Sequence, residues 1–135
     1  MGFNAQMASN SFPGASPLAR ELGAQGAGLI VATVVPPPTK RSLAVVQEYQ
    51  AAIEKQLAKK EFSFTSLESY IAAKVSVEAM RRAGPNMTRE SFQKALDGLK
   101  GYDAGGYFVN FSSTDHNGSS FAELTVLGRD KKYSY

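Results

Sequence analysis

His116 is the only histidine in the chain, and there is no cysteine. It stands in Thr114-Asp115-His116-Asn117-Gly118, a run of residue types that collect in turns. A metal centre or thiol chemistry would need further His or Cys ligands, and none exists. His116 is therefore expected to be a turn residue serving local hydrogen bonds. The carboxylates nearest to segments that could form a site are Glu68 and Asp103. Thr65 and Glu68 have capping-box spacing: the Thr hydroxyl accepts from the N3 amide, and the Glu reaches back to the Thr amide. Asp103, in Gly101-Tyr102-Asp103-Ala104-Gly105, has the setting of a turn. Gly23-Ala24-Gln25-Gly26-Ala27-Gly28 has the composition of a phosphate loop but the wrong order. It follows a helix and precedes a strand, so no helix N-terminus is offered to an anion. No Ser/His/Asp set, acid pair or metal cluster can be assembled. The chemistry expected is binding, not catalysis, with no cofactor and no metal.

Composition narrows the partners. A chain of 135 residues suits an ordinary domain, and 43% apolar residues suffice for a core. A net charge of +3, with the charges scattered, does not make the basic face that nucleic acid would require. The pairs Lys59-Lys60 and Lys131-Lys132 are expected to be solvated. No apolar run reaches the roughly 18 residues of a membrane span. The N-terminus lacks a charged stretch followed by an apolar one, so no signal peptide is visible. In a secreted protein the signal would lie upstream of Met1.

The elements that must position any site follow from periodicity. A short strand is expected at Ala5–Ala8. Ser16-Pro17 then starts a short helix that ends at Gly23 or Gly26. Leu29–Val35 is an unbroken apolar run, the pattern of a strand buried on both faces. Pro36-Pro37-Pro38 ends it, because proline cannot donate to a ladder. Thr39 starts a helix lined by Val46, Tyr49, Ile53 and Leu57. The next helix begins at the Thr65 cap, carries a stripe of Leu67, Tyr70, Ala73, Val77 and Met80, and stops at Gly84-Pro85. Thr88 caps a fourth helix with Phe92, Ala95, Leu96 and Leu99 on one side and Glu90 in its first turn. Residues 101–135 change period. Tyr107, Val109 and Phe111 alternate as in a strand, and Phe121–Leu127 is a second strand. Asn117-Gly118 between them signals a hairpin. Residues Gly128–Tyr135 are expected to end a strand or fray. The order is α/β, with few strands for so many helices.

Three pieces of this order carry a resemblance. They are Gly26–Pro36, the helix Phe64–Gly84, and Gly105-Gly106-Tyr107-Phe108-Val109-Asn110-Phe111 followed by Asp115–Ser120 and Phe121–Val126. Together the chain resembles the C-terminal portion of a type I periplasmic solute-binding protein of ABC transporters, the branched-chain amino-acid (Leu/Ile/Val) receptor family. The resemblance implies part of a two-lobed fold with layered helix/sheet/helix lobes. Residues 1–36 would belong to one lobe, residues 37–105 would form the helical segment of the other, and residues 106–135 would hold a crossover and the C-terminal strands. It implies a periplasmic or extracellular receptor that binds a small polar organic molecule, such as an amino acid, in a cleft between lobes. Its partners would be that ligand, an ABC transporter permease and the remaining N-terminal part of the receptor. The fragment could also self-associate.

The resemblance places Asn10, Ser11 and Phe12 on one cleft wall, and Ser66, Leu67 and Glu68 on the other. It makes Pro36, Pro37, Tyr107 and Asn110 hinge residues. Where Leu/Ile/Val receptors set an acid for the ligand ammonium, this chain has Ser11, which counts against an aliphatic amino acid as ligand. Two other readings stay open: a self-contained small α/β interaction domain, and a ligand-sensing regulatory domain of the same fold. Asn10–Gly14 also fits a plain polar loop.

Overall fold

The computed structural model describes residues 5–13, 15–56, 61–130 and 133–134. Among these the chain forms, in order, β1 (Ala8–Asn10), α1 (Ala15–Leu22), a 3₁₀ turn (Gly23–Gly26), β2 (Ile30–Thr33) and α2 (Ala44–Gln56). There follow α3 (Phe64–Ala83), α4 (Arg89–Asp97), β3 (Tyr102–Asp103), β4 (Phe108–Val109), β5 (Glu123–Leu127) and β6 (Tyr133–Ser134). Leu57, Lys59, Lys60, Lys131 and Lys132 lie outside the described residues.

The strands make a mixed sheet in the order β1-β2-β5-β6, with β1 parallel to β2 and the other pairs antiparallel. One face is covered. Val31 and Leu127 join Ala19 and Leu29 in an apolar core under α1. Thr33 and Thr125 share that buried face, and their hydroxyls are satisfied by the Glu123 and Val31 carbonyls. The other face is apolar and, among the described residues, only partly covered. Ile30 lies opposite Val126, and Ala32 opposite Leu124. Leu124 is 65% exposed and Val126 42%. Burial of β2 on both faces is thus only half realised within this chain.

A second core lies among the helices. Val45, Val46 and Tyr49 of α2 pack with Phe64, Leu67, Ile71, Val75 and Ala79 of α3, and with Leu99, Tyr107 and Val109. Burying one such Leu or Val contributes about 1.5–3 kcal/mol. The α3 stripe therefore differs from the expected one. Leu67 belongs to it, but Ala73, Val77 and Met80 face outward. The face that packs is set by β-branched Ile71 and Val75.

Local signals were overridden in several places. Helix α3 is capped by Ser63, whose extended backbone lets its hydroxyl accept from Ser66 N at 3.2 Å. The Thr65–Glu68 capping box does not form, because starting earlier puts Phe64 inside the helical core. Helix α1 starts at Ala15, so Ser16 is not its cap. Helix α2 starts at Ala44 and not Thr39. Lys40 N instead bonds Pro37 O in a turn after the prolines. Segment 112–120 is no hairpin: β4 pairs with β3, and β5 with β2 and β6. Tail residues Tyr133–Ser134 form β6, which composition had not signalled. The first strand is Ala8–Asn10 and not Ala5–Ala8, while three local expectations stand. Gly84 caps α3 with φ +84°, and Thr88 caps α4 through a reciprocal box with Ser91. The glycine-rich run is a helix-to-strand turn.

Candidate functional site

The end of β1 is locally organised. Asn10 Oδ1 accepts from Phe12 N at 3.1 Å, turning the chain so that Ser11 is buried and Phe12 is 92% exposed.

The start of α3 is a hydroxyl cluster. The buried Tyr49 hydroxyl lies 2.5 Å from Ser66 Oγ and accepts from Ser63 N at 3.1 Å. Ser66 Oγ also reaches Ser63 Oγ at 2.9 Å and Ser63 O at 3.2 Å. Ser66 is thus committed to holding the helix end. Leu67 is fully buried, and its amide bonds Ser63 O at 3.0 Å, so it anchors the helix and neither its side chain nor its amide is offered to a ligand. Of the three residues named at this end, Glu68 is the one that is exposed. It borders a groove of about 360 Å³ between α3 and the segments that leave and re-enter the sheet, with Val35, Ala72, Val75, Tyr107 and Phe111 among its walls. Asn10, Ser11 and Phe12 do not line that groove.

Of the four hinge candidates, Pro36, Pro37 and Asn110 lie on the connections between the two cores, and Tyr107 belongs to the helical core beside them. Pro36 and Pro37 are buried, and Gln50 of α2 donates to the Pro38 carbonyl at 2.8 Å. Sequence reasoning missed Gln50. Its signal was a polar residue on the apolar side of α2, beside Val46 and Tyr49. Tyr107 OH donates to Val34 O at 2.9 Å. Asn110 Oδ1 accepts from Gly101 N at 2.7 Å, while Asn110 N donates to Gly118 O at 2.7 Å.

Charges collect beside this region. Lys74 pairs with Glu48. Burial, and then the Glu48 charge, push the Tyr70 hydroxyl above its ordinary pKa. Asp103 accepts from the Gly106 and Gly105 amides, which hold its carboxyl below the usual range. The Arg82 hydrogen bond, followed by that of Arg81, lowers Glu78. His116 sits 3.3 Å from Asp97 and remains largely exposed. Among the described residues no group of three His, Cys, Asp or Glu is placed to hold a metal ion, and no helix is long and apolar enough to cross a membrane.

The described residues thus form a mixed sheet and a helical core, with polar groups at the element ends. Comparison with known proteins gives the family. Residues 1–131 match the family model described as periplasmic binding protein. A substrate-binding periplasmic protein from Ralstonia solanacearum is 35% identical, with a TM-score of 0.83 over 98% of this chain and 38% of its own. A possible leucine/isoleucine/valine-binding protein from Rhodopirellula baltica is 32% identical, with a TM-score of 0.88 over 98% of this chain and 36% of its own. An extracellular ligand-binding receptor from Verminephrobacter eiseniae is 26% identical, with a TM-score of 0.77 over 90% of this chain and 35% of its own. No curated protein matches the chain. The chain belongs to the periplasmic binding protein family, in its type I, Leu/Ile/Val-receptor branch, and its fold is part of the two-lobed fold of that family. It spans less than two-fifths of the length of the structures it matches.

Proposed function

We propose that this chain is a portion of a periplasmic or extracellular solute receptor that delivers a small polar organic molecule to an ABC transporter permease. One observation carries this reading. The chain builds two separate apolar cores, one at the sheet and one among the helices, and crosses between them twice. The first is residues 34–43, the second residues 110–122. Thr33 Oγ1 donates to Glu123 O at 3.2 Å where they meet the sheet, and Tyr107 OH donates to Val34 O beyond it. Paired connections of this kind let two lobes close on a ligand as rigid bodies, which a permease can sense. Residues 1–36 with the C-terminal strands then belong to one lobe, and residues 37–105 to the other. Pro36, Pro37, Tyr107 and Asn110 serve the hinge.

Asn10, Ser11 and Phe12 supply one cleft wall. Glu68 supplies polar contact on the other, with Ser66 and Leu67 fixing the helix end behind it. Small polar groups and an exposed aromatic suit a small polar ligand. The Rhodopirellula baltica relative is described as a possible leucine/isoleucine/valine-binding protein, and Ser11, which brings no acid for an ammonium group, counts against an aliphatic amino acid as the ligand of this chain.

The test is a thermal-shift screen of amino acids, amides and small carboxylates on the receptor at full length. A true ligand at a hundredfold excess over Kd adds about 2.7 kcal/mol. Phe12→Ala and Glu68→Gln, both at exposed positions, should each weaken its affinity without unfolding the protein. A stabilising ligand whose Kd ignores both substitutions would place the cleft elsewhere.

A further inference from the structure

We propose that Asn117 is a site of spontaneous covalent modification: the Asn117-Gly118 step converts to isoaspartate on the second passage between the cores, and so loosens it. Asn117 is exposed in the connection between β4 and β5. The residue after it has no Cβ, which leaves its backbone nitrogen the least shielded of any residue type. The other described asparagines, Asn10, Asn86 and Asn110, precede Ser11, Met87 and Phe111, whose side chains stand beside that nitrogen. Glycine at 118 is favoured by packing. A Cβ there would lie 2.6 Å from Cζ and 2.8 Å from Cε1 of Phe111, a ring packed against the helical core. The packing of Phe111 therefore favours the neighbour that leaves Asn117 open to attack.

The chemistry balances with water as the only co-reactant. The Gly118 backbone nitrogen bonds to Cγ of Asn117, and the side-chain amide leaves as ammonia, carrying off the Gly118 proton. The product is a five-membered succinimide. Water then opens it at one carbonyl to give isoaspartate or at the other to give aspartate. Nothing is oxidised or reduced. Either product puts a carboxylate next to Asp115, which already accepts from Asn117 N at 2.9 Å.

Isoaspartate also lengthens the main chain by one methylene immediately before Gly118. The Gly118 carbonyl is the acceptor that holds Asn110 N, and the Asn110 side chain in turn holds Gly101 N. Displacing Gly118 releases the bond to Asn110 N and frees the residue whose side chain holds Gly101 N. The consequence for lobe closure rests on the receptor reading, but the reaction at Asn117 does not.

The experiment ages the full-length receptor in warm, mildly alkaline buffer beside a sample unfolded in urea. Peptide mapping by mass spectrometry and isoaspartate-specific methylation read the conversion without any ligand, so this result is independent of whether the receptor reading holds. The amide-to-acid mass gain should build up in the folded protein first at the peptide carrying Asn117, with isoaspartate in excess of aspartate. Asn117→Gln should stay unmodified, and the aged wild type should melt below the fresh one. The proposal is overturned if folded Asn117 survives while the unfolded sample converts, or if Asn10, Asn86 and Asn110 convert as fast. Conversion with an unchanged melting temperature would overturn the loosening.

Discussion

The Tyr107 hydroxyl donates to the Val34 carbonyl at 2.9 Å while its ring packs against Phe121 at a centroid distance of 5.8 Å. Val34 lies on the first passage between the cores and Phe121 on the second. One buried side chain therefore touches both, from the helical core. Tyr107→Phe keeps the ring contact and removes the donor. The expected loss is about 1 kcal/mol, the usual net worth of such a hydrogen bond. Calorimetry on wild type and variant checks this, and equal melting temperatures would deny Tyr107 the role of a tie.

Capping of α3 gives a second contrast. Ser63→Ala removes the acceptor for Ser66 N and should cost about 1 kcal/mol. Thr65→Ala removes an exposed side chain one residue inside the helix and should cost much less, since a helix interior favours Ala. Urea titration ranks the pair. If Thr65→Ala proved the more damaging, the helix would start at Thr65 after all.

The same helix shows where sequence reading ends. Thr88, Gly84 and the Val31 strand were legible because each signal is local: a hydroxyl three residues before its amide, a residue free to take positive φ, a β-branched run. Ser63 and Thr65 are both good caps, and only the burial of Phe64 decides between them. Asn117-Gly118 suggested a hairpin, yet β5 finds β2, some ninety residues away in sequence, because that pairing buries Thr125 and Leu127. For the site, element ends were visible. That Ser66 is consumed by Tyr49 is a contact between helices and leaves no trace in spacing.

Gly105 should be the least replaceable glycine of the α2 region. Its φ is +111°, and a Cβ would lie 2.7 Å from Val45 N and 3.2 Å from Val45 Cα, both backbone atoms. Its carbonyl also accepts from Val45 N at 2.9 Å. Gly84→Ala meets open space and suffers only strain, about 1–3 kcal/mol. Gly105→Ala adds the clash and should be clearly worse. Denaturant midpoints of the two variants test the order, and equal values would show that the 105–106 turn can move away from α2.

Asp103 links stability to pH. Its carboxyl is held below its ordinary pKa by the Gly106 and Gly105 amides, so the folded state binds that proton more weakly than the unfolded one. Its contribution is fully present above the unfolded pKa, about 4. It disappears as pH falls through the lower folded value. Asp103→Asn keeps an acceptor oxygen but has no proton to bind there, so the variant should lose less stability on acidification than wild type. Part of the acid loss should persist in the variant, because Glu78 and Glu90 are also held low. Parallel acid-unfolding curves for the two proteins would remove Asp103 from the account.

The partly covered sheet face predicts how this chain behaves alone. Ile30 and Val126 are directly paired, as are Ala32 and Leu124, so four apolar side chains form a continuous patch on the side away from α1. Among the described residues, strand β1 adds an edge with a neighbour on one side only. Patches and open edges of this kind recruit other chains. We expect the isolated 135-residue chain to scatter light as an associated species, and to bind ligand poorly because it spans less than two-fifths of the length of the structures it matches. Leu124→Lys with Val126→Lys places charge on the exposed face and leaves Thr125 and Leu127 on the buried one. That double variant should shift the population toward monomer with its circular dichroism unchanged. A wild-type chain that stays monomeric and melts cooperatively would show that this sequence closes its own core, and would favour a self-contained domain over a portion of a receptor.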